Sequence, residues 1–104
     1  MRLSDDGSTV TLDLHRVRVG DAESLIRRTV ALASARGRAS VRIVHGSSTS
    51  GGARHTIKQV VHALLDDGAL AAVTSNFRAQ DYALLSLGVG GQPDRRRLTL
   101  NDVW

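Results

Sequence analysis

Asp13 and His15 stand two positions apart, and His45 runs directly into Gly46 and a loop of hydroxyls and glycines, Ser47-Ser48-Thr49-Ser50-Gly51-Gly52. Arg54 and Lys58 follow closely, and Arg16 adjoins His15. An imidazole titrates near neutral pH, and a neighbouring carboxylate can orient it. Arginines and free backbone N–H groups can stabilise charge on a phosphate. Asp13, His15, His45 and Arg54 therefore supply the residue types for general acid–base work on a phosphodiester. The plainer alternative is that Asp13 and His15 merely satisfy each other at a strand end, while Gly and Ser only link a strand to a helix.

The elements that must position these groups follow from periodicity. Thr9 to His15 alternates, with Val10, Leu12 and Leu14 on one face and Thr9, Thr11, Asp13 and His15 on the other, as in a half-buried strand. A helix is expected from Asp21 to Arg36, with Ala22, Leu25, Ile26, Thr29, Val30 and Ala33 on one face and Gly37 as its stop. Ser40 to Val44 is a second strand. A second helix is expected from Ala53 to Asp67, with Ile57, Val60, Val61, Leu64 and Leu65 inward. Ala72 to Phe77 and Tyr82 to Leu87 read as a strand pair joined through Arg78-Ala79-Gln80-Asp81.

Residues 1–8 read as a flexible N-terminal lead, with Asp6-Gly7 as a turn. Residues 9–87 form the domain, and residues 88–104 a basic C-terminal extension carrying Arg95-Arg96-Arg97. There, Leu98-Thr99-Leu100 could add a short edge strand, and Trp104 is expected to fold back onto apolar surface.

The order β-α-β-α-β-β predicts an α/β two-layer sandwich. Its mixed four-stranded sheet, with a fifth edge strand as an option, would carry two helices on one face. Strands joined by a right-handed crossover are parallel, so His15 and His45 should share the carboxyl edge of the sheet, where open α/β sheets place ligands. The second helix adds a charge anomaly. Arg54, His55 and Lys58 would lie in its first turns, where a cation opposes the macrodipole by roughly 0.3–1 kcal/mol each. A bound anion there would turn that cost into a gain, which makes the loop and helix start a candidate phosphate cradle.

Other chemistries fit less well. Gly46 and Gly51 have the spacing of the two P-loop glycines, but Gly52-Ala53 replaces the required Lys-Ser/Thr. No G-x-S-x-G register surrounds Ser47, Ser48 or Ser50, which argues against a serine hydrolase. A divalent metal held by Asp13, His15 and His45 stays open, although no H-x-x-x-H pair exists. His55 and His62, seven residues apart on a helix, are separated by about 10 Å of rise, too far to share one ion.

A chain of 104 residues supports one domain with a modest core, and with no cysteine it has no disulfide or thiolate chemistry. Basic residues outnumber acidic ones 14 to 10, and all but Lys58 are arginine, whose planar fork suits phosphate oxygens. Nucleic acid, DNA or RNA, is therefore the first partner to consider. The plainer reading is a solvated basic surface on a protein-interaction domain. Phe77, Tyr82 and Trp104 are the only aromatic residues, a scarcity that counts against base stacking. The polar N-terminus and the lack of a long apolar run predict a soluble, cytoplasmic protein without membrane contact.

Leu12-Asp13-Leu14-His15 resembles the LDLH motif that opens the Smr (small MutS-related) domain. Val44-His45-Gly46, followed by a Gly-rich loop and Arg54, resembles that family's second motif, an apolar strand ending in HGxG. The resemblance spans about Thr9 to Leu87. It implies an α/β sandwich like the C-terminal domain of a bacterial translation initiation factor. It also implies nucleic-acid binding and, as in several members, endonuclease (hydrolase) activity in DNA repair or RNA processing. A larger MutS-like ATPase is the implied partner if the chain is an excised terminus. Asp13 and His15 would carry the first motif's role; His45, Gly46 and Arg54 would carry the second's. The sequence departs from the family at Arg16, where glycine usually follows LDLH, and at Ser47 and Ser48 within HGxG. The later Gly-Gly-x-Gly segment before the last strand is replaced by Ala79-Gln80-Asp81.

Overall fold

The computed structural model describes residues 1–46, 56–88 and 90–104. In chain order the elements are β1 (Arg2–Asp5), β2 (Thr9–Asp13), α1 (Val19–Ala35), β3 (Ser40–Val44), α2 (Ile57–Asp66), β4 (Val73–Arg78), β5 (Tyr82–Leu87) and α3 (Leu100–Val103). The strands form one mixed sheet in the order β1-β2-β3-β5-β4. Only β2 and β3 pair in parallel; the other three pairings are antiparallel.

Polarity explains which strand sits where. β5 alternates buried Ala83 and Leu85 with partly covered neighbours and takes an interior position between β3 and β4. β1 and β4 are mostly polar, β4 also mostly exposed, and they occupy the edges, where charge and polarity discourage pairing with other chains. Val10 and Leu12 of β2, Val41 and Ile43 of β3, and Ala83 and Leu85 of β5 turn to one side. There they meet Ala22, Leu25, Ile26, Val30 and Ala33 of α1 and Val61 and Leu64 of α2. The result is the expected α/β two-layer sandwich with an aliphatic core. All six inward residues expected for α1 are buried, and Gly37 adopts φ 72 just beyond the helix, where a left-handed residue terminates it.

Four expectations need correction. Residues 2–5 are not a flexible lead: they form β1, antiparallel to β2, from Arg2 opposite Asp13 to Asp5 opposite Val10. The Asp6-Gly7 turn is present, with Gly7 at φ 94 and the Asp6 carboxylate accepting the N–H groups of Ser8 and Thr9 at 2.8 and 2.7 Å. The fifth strand is thus N-terminal. Leu98-Thr99-Leu100 instead leads into α3, which Thr99 and Asp102 cap reciprocally. Trp104 does not fold onto apolar surface; it is 65% exposed, and Val103 takes the buried place. Finally, α2 begins at Ile57 rather than Ala53, because Thr56 is its N-cap.

The pairing of β1 has a long-range cause that alternation could not reveal. The fully buried Asp5 carboxylate accepts from Arg38 Nε at 2.9 and 3.1 Å and from the Leu98 N–H at 2.8 Å. Arg38 in turn donates to the carbonyls of Arg36, Asp94 and Arg96 at 2.9, 2.6 and 2.9 Å. One ion pair therefore ties the first strand, the entry to β3 and the C-terminal segment together.

Candidate functional site

The parallel pairing of β2 and β3 sets Asp13 opposite Val44, and the Leu14 N–H extends the ladder to the Val44 carbonyl at 2.9 Å. His15 and His45 therefore leave the sheet at the same edge, as strand order alone predicts. Leu14 is buried and anchors the turn that follows, closed by the Val17 N–H on the Leu14 carbonyl at 3.1 Å. His15 and Arg16, both exposed, are its two central residues. Arg16 takes φ 65, a conformation that L side chains resist and glycine adopts freely. That is why a glycine suits this position.

Asp13 does not bond the His15 ring. Its Oδ1 accepts the backbone N–H of His15 at 2.9 Å, so the carboxylate fixes the turn and only through it the imidazole. His45 is held differently. Its backbone N–H and that of Gly46 both donate to the Asp81 carbonyl at 2.9 Å, a contact supplied by the connection between β4 and β5. Gly46 takes φ 79. The His45 Nδ1 lies 2.7 Å from the Gly46 carbonyl, which can only accept, so Nδ1 carries the proton and the neutral ring's lone pair sits on Nε2.

That buried Nε2 has no partner among the described residues, and neither has Nε2 of His62 on α2. The two rings meet edge to face with centroids 6.0 Å apart. Burial holds the His62 pKa below its ordinary value of 6.5, and the positive fields of Arg78, His45 and Lys58 add to the effect against the pull of Asp66. His62 is the site residue that the sequence did not disclose as such. Helical spacing relates it only to His55, and the neighbour that matters comes from another element.

The start of α2 is capped from within. Thr56 Oγ1 accepts the Gln59 N–H at 3.2 Å, and Gln59 Oε1 accepts the Thr56 N–H at 3.0 Å. Lys58 lies in the first turn, which carries no acid. The remaining candidate phosphate ligands, Ser47, Ser48, Gly51, Gly52 and Arg54, lie outside the described residues, as does His55. Among the described residues, no three His, Cys, Asp or Glu side chains gather as a metal-binding group, and no helix is long and apolar enough to cross a membrane.

A mixed α/β sandwich whose parallel strand pair ends in two histidines, the second running into a positive-φ glycine, defines a small domain with its polar groups on one sheet edge. The chain belongs to the Smr domain family, whose model matches residues 12–83. The match takes in both histidine motifs, while β1 and α3 lie outside it. Comparison with curated proteins and with solved structures gave no match.

Proposed function

We propose that this Smr domain binds nucleic acid at the shared edge of β2 and β3 and cleaves its phosphodiester backbone there by acid–base chemistry. His15 serves as the acid–base group, fixed through its backbone by Asp13, and His45 as a second polar contact. Arg16, Gly46 and Lys58 hold the phosphate together with the loop residues Ser47, Ser48, Gly51, Gly52 and Arg54. The observation that carries this reading is the parallel register, which brings both histidine-bearing strand ends to one edge. The lone pair on His45 Nε2, buried and without a partner among the described residues, supports it further. One imidazole can accept the proton of the attacking oxygen while a protonated group returns one to the leaving oxygen.

A binding-only reading has one observation in its favour: the Asp13 carboxylate is engaged by a backbone N–H rather than by the ring it would activate. Incubation with structured and single-stranded RNA and DNA, with and without divalent metal, separates the two. Nuclease action predicts strand scission that His15→Ala and His45→Ala abolish while binding persists. Scission unchanged in both variants would remove these histidines from the chemistry. The binding-only reading predicts salt-sensitive association, no scission, and a loss of about 1–3 kcal/mol in Arg54→Ala.

A further inference from the structure

The sheet has a second side. With α1 and α2 packed against Val10, Leu12, Val41, Ile43, Ala83 and Leu85, the alternate residues of the same strands point away from the helices. Register places Thr11 beside Arg42, Arg42 beside Leu84, and Leu84 beside Phe77, in one row across four strands. The next row toward the histidine edge runs Asp13, Val44, Tyr82.

Two of the chain's three aromatic residues thus fall on this face, adjacent to each other. The Phe77 and Tyr82 ring centroids are 6.4 Å apart. The Arg42 guanidinium carbon lies 4.7 Å from the Tyr82 centroid, so a cation is already stacked on the ring. Phe77 is 61% exposed, an unusual setting for a large apolar ring on a strand.

We propose that this face is a stacking platform for single-stranded nucleic acid, with Phe77 and Tyr82 taking bases and Arg42 the backbone or a further base. The inference rests on the nucleic-acid reading above and names the strand form that the domain takes. Every base has a π-face, so stacked rings beside arginine grip a single strand without reading its sequence, whereas a duplex hides its base faces.

The chemistry of the surface favours that occupant over a protein. Arg2 and Arg42 bring positive charge to the face against the one carboxylate of Asp13 opposite Arg2, and the row beyond carries the hydroxyls of Thr9, Ser40 and Ser86 rather than apolar side chains. The platform is also continuous with the histidine edge. Tyr82 pairs with Val44, the residue before His45, so a strand laid over the rings leads its backbone toward His15 and His45.

The test uses fluorescein-labelled oligothymidine, oligouridine and a duplex of equal length, with binding to the whole chain read by anisotropy at low salt. Wild type should bind the single strands more tightly than the duplex. Phe77→Ala, whose fold is checked by circular dichroism, should lose roughly 5- to 150-fold in single-strand affinity, equivalent to about 1–3 kcal/mol, and keep its duplex affinity. Phe77→Trp should retain single-strand binding.

Unchanged single-strand affinity in Phe77→Ala overturns the platform and leaves the edge reading standing. A wild-type dimer in sedimentation that Phe77→Ala dissociates also overturns it, because the face would then join two copies. Failure of wild type to bind any of the three probes overturns both readings.

Discussion

Arg16 is the only non-glycine residue at positive φ among the described residues, and it sits between His15 and the start of α1. A left-handed conformation costs an L residue roughly 1–2 kcal/mol, while glycine would bring a backbone entropy cost of roughly 0.5–1 kcal/mol. The difference predicts that Arg16→Gly stabilises the fold by about 0.5–1 kcal/mol, seen as a rise of roughly 2–8 °C in thermal midpoint. If the exposed guanidinium holds phosphate, the same variant must bind nucleic acid less tightly. A stabilised variant with undiminished affinity would show that Arg16 does not hold phosphate. Gly46 is the converse case. Among the described residues nothing lies within 4 Å of a Cβ built on it, so φ 79 is what demands glycine there. Gly46→Ala should therefore cost about 1–2 kcal/mol in denaturant unfolding through backbone strain alone.

Among the elements, β1 depends on contacts far away in sequence. Its burial alternates with only Leu3 apolar among Arg2–Asp5, a pattern too weak to predict a strand. What holds it is the pair between Asp5 and Arg38, residues 33 apart, reinforced by the Leu98 N–H. Removing one partner strands the other as a buried charge, at about 3–5 kcal/mol. Asp5→Ala should lower unfolding free energy by that amount in urea, and a loss below about 1 kcal/mol would show that Arg38 finds compensation elsewhere. The segment after β5 is similarly placed by tertiary contacts. The Gly91 N–H donates to the Ser34 carbonyl at 2.9 Å, and the Gly91 backbone lies against the Ala35 carbonyl so closely that a side chain could not fit. α1, β2 and β3 were legible because their apolar periodicity coincides with burial. β1 and α3 were not, because an ion pair and a local cap decide them.

At the scale of the molecule, the sheet edge was legible for a topological reason: a β-α-β crossover fixes two strands as parallel whatever their side chains are. His15 and His45 followed from that. The pairing of His45 with His62 did not, since it needs the angle at which α2 crosses the sheet; nor did the gathering of Phe77 and Tyr82, which needs the antiparallel register of β4 and β5. The burial of His62 gives the fold a pH signature. Burial, then Arg78, His45 and Lys58, keep the folded His62 pKa below 6.5. As pH falls through 6.5 the unfolded chain takes up a proton that the folded chain resists, so stability declines, levelling off once the folded imidazole is also protonated. A second decline belongs to Asp5. Burial pushes its carboxyl up, but hydrogen bonds from Arg38 and from the Leu98 and Gly7 N–H groups outweigh that and hold the pKa below 3.8. Its contribution is complete above pH 3.8 and disappears as pH falls through the lowered folded value. Urea midpoints measured from about pH 7.5 down to about pH 3 should therefore fall in two steps. His62→Gln should remove the upper step, and Asp5→Asn should shrink the lower, which Asp6, Asp66, Asp94 and Asp102 share because hydrogen bonds hold their carboxyls below 3.8 as well. If the His62→Gln and wild-type curves run parallel between about pH 7 and about pH 5, the buried imidazole does not govern acid stability and its unpartnered nitrogen is solvated in solution.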